Sequence, residues 1–203
     1  MTETIKAIQK KIGVTADGII GKKTIAALAK ALGVNVGSKV GTNVGSKGWP
    51  TQAQVRAGTS VFGKAGCESN LVNIVPPYPL YYCGKQVKTI RVHKLIAEPV
   101  KNALADVLAY YGLERIKKLG LDQYSGSYNY RKTSTGKAMS MHAWGIALDF
   151  AAEKNTYAMR KPNASLSKPE CEKWWQIWES YGAVSLGREA NYDWMHLQFA
   201  RLK

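Results

Sequence analysis

The sequence predicts an α+β fold, in which a small antiparallel sheet with flanking helices follows a small all-helical module. Residues 145–150 and 194–199 alternate between apolar residues and small or polar residues, and this period of two predicts two half-buried strands of matched pattern. An apolar stripe at three- and four-residue spacing over 95–111 predicts a core helix. The composition, 45% hydrophobic and 10% aromatic, is typical of a folded globular chain.

The formal charge of +15 on 203 residues favours polyanionic partners. Because the lysines are scattered and no nucleic-acid motif is recognisable, we expect diffuse attraction to an anionic surface rather than specific nucleic-acid binding. The alternative is a solubilising surface without a partner. No apolar run approaches the roughly 20 residues of a membrane helix, and the first residues lack a secretory pattern, so synthesis in a cytoplasm is expected.

The chain has three cysteines, at positions 67, 83 and 171. An odd number without CxxC spacing argues against a zinc finger and against a full disulfide framework. Reduced thiols are expected, although a bridge between Cys67 and Cys83 stays open for an oxidising compartment.

Residues 1–33 are predicted to form two short helices around a glycine-containing turn, with Thr24 capping the second helix. A generic helical hairpin would satisfy this pattern. The motif Asp-Gly-Ile-x-Gly-x-x-Thr at 17–24, followed by a helix, resembles the type 1 peptidoglycan-binding domain, and the resemblance implies that this module binds peptidoglycan.

Residues 34–48 are predicted to be a flexible linker, because they are rich in Gly, Ser, Asn and Lys and lack a helical or strand period. The pentapeptide Asn-Val-Gly-Ser-Lys occurs twice within this stretch. A second domain, 49–203, follows, and a wall-bound first module would raise the concentration of substrate around it.

Within the second domain, the core helix over 95–111 is expected to end at Gly112. Pro99 should place the start of the regular helix nearby or kink it. His93 precedes the helix without an acidic or histidine partner in sequence, so a structural or helix-entry role is favoured over metal ligation.

The last long helix is predicted over 170–181, with a capping box from Ser167 and Glu170 and an end at Gly182. Its apolar stripe should pack in the core. Trp175 lies off that stripe and is expected to make an exposed contact.

A metal site is predicted from the two alternating segments. If the two strands pair, His196 comes opposite Asp149, while His142 lies in a turn just before the first strand. Two imidazoles and one carboxylate leave an open coordination position, which is typical of catalytic rather than structural zinc. Histidines that are merely satisfied in the core are the alternative.

Two more residues of this region are candidates for the site. Asp193 is a second carboxylate, and strict alternation would point it away from His196, so it must lie in the preceding turn if it faces the metal. Ser140 is expected to brace the loop rather than to act as a nucleophile, because no Ser-His-acid arrangement surrounds it.

These residues together carry a resemblance to a known family. The pattern Ser140-x-His142-x-x-Gly145-x-Ala147-x-Asp149, with Asp193-x-x-His196 downstream and Tyr128-x-x-Arg131 upstream, resembles the zinc D-alanyl-D-alanine carboxypeptidases and L-alanyl-D-glutamate endopeptidases, a family that includes bacteriophage endolysins. The family fold is a small α+β domain whose antiparallel sheet carries the zinc.

The resemblance implies that His142, Asp149 and His196 bind Zn2+ and that Asp193 is the catalytic base. Aspartate rather than glutamate at the position of the base favours the endolysin branch. Arg131 is the expected stabiliser of the negative oxygen that forms during peptide hydrolysis, with a substrate-carboxylate clamp or a plain surface arginine as alternatives. The expected substrate-binding residues are Tyr128, Ser140 and Trp194.

The expected function is therefore a monomeric endolysin that cuts the stem peptide of peptidoglycan, at the L-Ala-D-Glu bond. It would be made in the host cytoplasm and act on the cell wall, with its positive charge favouring the anionic bacterial envelope. The alternatives are a D-Ala-D-Ala carboxypeptidase, a D-Ala-diaminopimelate endopeptidase, and a non-catalytic wall-binding protein. The presence of Asp193 argues against the last of these, since a binding protein needs no base.

Overall fold

The computed structural model describes residues 2–18, 22–32 and 48–203. Helices and small antiparallel sheets occur together, which confirms the predicted α+β class. The helices are α1 (Thr2–Lys11), α2 (Lys22–Ala31), α3 (Gln52–Arg56), α4 (Ala97–Leu119), α5 (Glu172–Ser180) and α6 (Leu186–Ala190). The strands are β1 (Leu71–Ile74), β2 (Leu80–Tyr82), β3 (Lys85–Val87), β4 (Ile90–His93), β5 (Tyr124–Gly126), β6 (Ala147–Phe150), β7 (Val184–Ser185) and β8 (His196–Gln198).

The predicted linker 34–48 lies outside the described residues except for Gly48, and so do residues 19–21 of the glycine turn. Among the described residues, no helix combines the length and the apolar character that a membrane crossing requires.

The N-terminal module has the two predicted helices, and a buried polar side chain lies between them. Gln9 is 1% exposed. Its amide donates hydrogen bonds to Asp17 (2.7 Å) and to the Thr24 hydroxyl (3.1 Å), and its carbonyl accepts one from the backbone of Gly18 (2.7 Å). Thr24 lies inside α2, which begins at Lys22, so the prediction that Thr24 caps this helix is wrong.

The core helix α4 begins at Ala97, and Pro99 lies in its first turn, where a missing backbone N–H costs no intrahelical hydrogen bond. Gly112, with φ 67° and ψ 161°, interrupts the helix at the predicted end, but helical residues continue to Leu119. His93 is buried, and its Nδ1 accepts a hydrogen bond from the backbone of Leu95 (3.2 Å). The expected helix-entry role of His93 is confirmed.

The main sheet has four strands in the order β5-β6-β8-β7, and the predicted pairing of the two alternating segments is confirmed. Strands β6 and β8 are antiparallel, with Asp149 directly opposite His196. Both strands are shorter than predicted. Residues Met141–Trp144 form a 3₁₀ turn that Gly145 closes in the left-handed conformation (φ 67°), so β6 begins only at Ala147.

The helix α5 covers one face of this sheet. Phe150 of β6 packs against Trp174 and Trp178, with ring centroids 5.0 Å and 5.8 Å away. This contact confirms that the apolar stripe of the last long helix packs in the core. It also leaves the neighbouring Asp149 on the opposite side of the strand, away from the aromatic cluster.

Two predictions about the last long helix are wrong. The capping box does not form, because a 3₁₀ turn at Pro169–Cys171 precedes α5 and the Ser167 hydroxyl donates to the carbonyl of Ala164 (2.7 Å). Trp175 is only 2% exposed, and its indole N–H donates to the carbonyl of Leu166 (2.7 Å). The segment before α5 packs over the helix and covers Trp175, which lies outside the apolar stripe.

The two ends of the segment 49–203 lie side by side. The backbone N–H of Gln52 donates to the carbonyl of Arg201 (2.8 Å), and the N–H of Arg201 donates to the carbonyl of Pro50 (2.9 Å). Helix α3 is therefore held next to the end of β8. The three cysteines, all within the described residues, are free thiols.

Candidate metal centre and its cleft

The three predicted metal ligands converge in the structure. Nε2 of His142 lies 3.2 Å from Oδ2 of Asp149 and 3.2 Å from Nδ1 of His196, and Nδ1 of His196 lies 3.0 Å from Oδ1 of Asp149. The three side chains are buried. Among the described residues, this trio is the group of histidine, cysteine and acidic side chains whose spacing suits a metal ion.

The 3₁₀ turn before β6 positions His142. The Ser140 hydroxyl caps this turn by accepting the N–H of His142 (3.4 Å), as expected for a residue that braces the loop. On the far side of the ring, Nδ1 of His142 lies 2.5 Å from the carbonyl of Ser127. A carbonyl only accepts hydrogen bonds, so Nδ1 carries the proton and the lone pair of Nε2 faces the cluster.

Strand β8 supplies the third ligand from the opposite side. His196 presents Nδ1 to the cluster, while its Nε2 lies 3.2 Å from Oε1 of the buried Gln198. The two histidines thus use different nitrogens. The register of β6 and β8 explains the convergence, because Asp149 and His196 are paired residues whose side chains lie on the same face.

Lone pairs on these four nitrogen and oxygen atoms would repel one another at such distances unless a proton or a cation lay between them. Burial alone would raise the pKa of Asp149, but the charges and hydrogen bonds of His142 and His196 outweigh burial and hold this pKa well below its usual range. Burial alone would lower the pKa of His196, and its hydrogen bond and charge interaction with Asp149 raise it instead. Two imidazole nitrogens and one carboxylate whose ligand atoms lie within 4.8 Å of one another form a donor set that fits a divalent cation.

Asp193 lies in the turn before β8, where it has to lie in order to face the cluster. Its backbone is left-handed (φ 52°), and its N–H donates to the carbonyl of Tyr157 (3.3 Å). Oδ1 of Asp193 is buried and has no hydrogen-bond partner within the described part of the chain. Burial, reinforced by the charge of Asp149, raises the pKa of Asp193 above its ordinary value.

The metal ligands and Asp193 line a cleft of about 310 Å³. Arg131 and Ser140 also line it, and the backbone N–H of Ser140 donates to the carbonyl of Arg131 (3.1 Å). The structure therefore brings the predicted arginine to the site. Its charge acts on Asp193, where it lowers the pKa against the larger effect of burial.

A second arginine at the cleft was not predicted. Arg56, at the end of α3, lines the cleft, and its Nε donates to the carbonyl of Met139 (3.0 Å). In the sequence, Arg56 is one of 29 lysines and arginines and lies far from any motif. Two tyrosines that were not predicted as site residues, Tyr157 and Tyr192, also line the cleft.

Two predicted substrate-binding residues lie elsewhere. Tyr128 is not among the described residues that line the cleft, and the Arg91 guanidinium lies over its ring at 5.3 Å. Trp194 is 6% exposed, and its indole N–H donates to Asn191 (3.0 Å). Its ring faces Trp175 at 6.3 Å, so Trp194 is part of the packing behind the site.

Comparisons of this chain with protein-family models, with curated proteins and with solved structures find no match. The geometry of the buried trio and its cleft is therefore the basis for any inference about function.

Proposed function

We propose that this chain is a zinc-dependent peptidoglycan hydrolase of the endolysin type that cleaves the stem peptide, at the L-Ala-D-Glu bond. The observation that carries the proposal is the convergence of two imidazole nitrogens and a carboxylate at the floor of a cleft, beside a second buried carboxylate. The residues of this chain that would hold the metal are His142, Asp149 and His196.

Nitrogen and oxygen ligands in this number suit zinc and leave a coordination position open. Bound in such a site, zinc polarises a carbonyl group and lowers the pKa of a water molecule to about 7. Thiolates, which would favour a closed structural site, take no part in the trio.

Asp193 has the properties of the general base. It lies beside the trio without belonging to it, and its Oδ1 is unpaired within the described residues. A raised pKa makes a carboxylate a stronger proton acceptor, so Asp193 can take a proton from the attacking water and return it to the leaving amine.

Two cationic side chains suit an anionic peptide. Arg131 lies close enough for its charge to act on Asp193 and is the candidate to stabilise the negative oxygen of the tetrahedral state. Arg56 adds a second positively charged side chain to the lining of the cleft. Stem peptides carry free carboxylates, which guanidinium groups bind in a bidentate manner.

The rest of the chain supports action on a wall rather than on free peptides. The N-terminal module is proposed to bind peptidoglycan, and the charge of +15 favours an anionic envelope. The proposal includes action as a monomer on the cell wall after synthesis in the host cytoplasm.

Digestion of purified peptidoglycan, with mass spectrometry of the new termini, tests the proposal. Free L-Ala carboxyl ends and D-Glu amino ends are the expected products. New D-Ala carboxyl ends would support a carboxypeptidase or a D-Ala-diaminopimelate endopeptidase instead.

His196→Ala is the control variant and should not cleave. Chelation of the wild-type protein should abolish cleavage, and added zinc should restore it. Cleavage that survives chelation, or a His196→Ala variant at the wild-type rate, would refute the zinc mechanism.

A further inference from the structure

The side chain of Gln198 makes contacts that fix the direction of its amide. Gln198 is fully buried, and its Nε2 lies 2.6 Å from the carbonyl oxygen of Ala200. A carbonyl oxygen only accepts hydrogen bonds, so the atom that faces it must be the amide nitrogen. Oε1 of Gln198 therefore points the other way, towards His196.

Oε1 of Gln198 has two donors within reach. Nε2 of His196 lies at 3.2 Å, and Nε2 of Gln52 lies at 3.0 Å. An amide oxygen has two lone pairs and no proton, so both neighbours have to donate. His196 must then carry a proton on Nε2, so in the neutral imidazole, the form that binds a metal, the lone pair of Nδ1 faces Asp149 and His142.

The opposite tautomer of His196 is disfavoured for two reasons. Without a proton on Nε2, two lone pairs would face each other at 3.2 Å in a buried site. A proton on Nδ1 would occupy the lone pair that a metal needs. The Gln198 amide is therefore placed to act on the metal site through His196, without itself reaching the cluster.

Gln52 extends this hydrogen-bonded chain to α3. Its backbone N–H is bonded to Arg201, beyond β8, and its side chain is bonded to Gln198. A helix near the start of the second domain is thus in hydrogen-bond contact with the residue that orients a metal ligand.

We propose that Gln198 is a positioning residue that holds His196 in the tautomer whose Nδ1 binds the metal, and that Gln52 holds Gln198 in place. This inference rests on the proposed zinc site. It assigns to α3 a role in metal affinity, in addition to the place of Gln52 and Gln198 in the lining of the cleft.

Zinc affinity of the full chain, measured by competition with a chromophoric chelator, tests the inference. Gln198→Met keeps the length of the side chain but removes its acceptor, and the affinity should fall about 10- to 100-fold, as is usual when a partner of a metal-bound histidine is lost. Gln52→Met should weaken binding in the same direction and by less. Gln54→Met is the matched control on the same helix, because the described bond of its side chain is to the backbone of Thr51, and its affinity should equal that of the wild type.

The tautomer itself can be read from imidazole nitrogen shifts of the zinc-loaded chain, which has only three histidines to assign. His196 should show a protonated Nε2 and a metal-bound Nδ1, and His142 the reverse. Wild-type affinity in both Gln198→Met and Gln52→Met, or metal bound through Nε2 of His196, would overturn the inference while the proposed zinc site stands. If Gln198→Met does not fold, wild-type affinity in Gln52→Met alone overturns it. A wild-type chain that binds no zinc would overturn both.

Discussion

At the scale of single residues, backbone carbonyls determine how side chains of the candidate site are oriented and protonated. The carbonyl of Ser127 sets the tautomer of His142, and the carbonyl of Ala200 sets the direction of Gln198. Asp193 differs from the ligands, because its Oδ1 meets no hydrogen-bond donor within the described residues. In the proposed mechanism, the trio would hold the cation and Asp193 would move the proton.

Asp193→Asn should separate catalysis from metal binding. The amide keeps the size of the side chain but cannot accept a proton from water, so kcat on a soluble stem peptide should fall about 10²- to 10⁴-fold. Zinc content should stay at the wild-type level, because Asp193 is outside the trio. Loss of zinc together with activity would instead make Asp193 a ligand.

The dependence of kcat/KM on pH should report the titration of Asp193. A general base works only when it is deprotonated, so kcat/KM should rise with pH through the pKa of Asp193. Since the charge of Arg131 lowers the pKa of Asp193, Arg131→Gln should move the acid limb to still higher pH.

Arg56→Gln is the matched control for this profile, because it removes a cleft arginine that, unlike Arg131, is not among the main influences on the pKa of Asp193. Its acid limb should coincide with that of the wild type. Identical limbs in all three proteins would show that Asp193 is not the titrating base.

At the scale of elements, the 3₁₀ turn before β6 is packed tightly against the small β1-β4 sheet. The backbone N–H of His93 donates to the carbonyl of Gly145 (2.8 Å). A Cβ on Gly145 would lie 2.7 Å from Leu71 and 3.1 Å from the backbone nitrogen of His93. Glycine at this position therefore serves two needs, a left-handed backbone and close contact with β4.

Gly145→Ala should destabilise the fold more than Gly120→Ala does. Both glycines end helical turns with nearly the same backbone, φ 67° and ψ 26° at Gly145 and φ 70° and ψ 24° at Gly120. Alanine costs about 1–2 kcal/mol in this conformation. At Gly145 the collision with β1 and β4 should add about 1–3 kcal/mol of overpacking. Chemical denaturation measures both, and equal losses would refute the packing explanation.

The N-terminal module depends on one polar side chain. Gln9 joins α1 to α2 and to the turn between them. Gln9→Leu leaves the partly buried N–H of Gly18 and the buried Thr24 hydroxyl without this partner, at a cost of about 1–3 kcal/mol for the buried group and less for the other. Binding to purified walls should weaken, while turnover of a short soluble peptide should stay unchanged. A parallel loss of both activities would mean that residues 1–33 also support the proposed catalytic domain.

At the scale of the whole molecule, a large positive charge accompanies the two modules that the sequence predicts. The formal charge of +15 acts over about 10 Å at 0.1 M salt, far beyond the reach of the cleft residues. The charge is therefore expected to affect the approach to the wall more than the chemical step.

Salt should slow wall lysis but not peptide hydrolysis. Raising the ionic strength shortens the screening length, so the rate on intact peptidoglycan should fall steeply between low and high salt. Hydrolysis of a short, nearly neutral stem peptide should change little over the same range. Equal salt dependence of the two rates would place the effect in the active site instead of on the surface.

The sequence by itself determined the α+β class, the pairing of two alternating segments, the core helix up to Gly112 although not its continuation to Leu119, and the identity of the converging residues. These features depend on periodicity and spacing over a few residues, which the chain order displays directly. Asp149 and His196 were predictable as partners, because the alternation of each segment shows which residues share one face of the strand. Pairing of the two strands then brings Asp149 and His196 together on the same face of the sheet.

Only the tertiary structure decided which histidine nitrogens face the cluster, where Trp175 and Trp194 pack, and which arginine side chains reach the cleft. Gln52 and Gln198 are 146 positions apart and yet share a hydrogen bond. Arg56 enters the cleft only because α3 is held beside the end of β8. Such contacts join residues that are far apart in the sequence, and no local periodicity of the sequence predicts them.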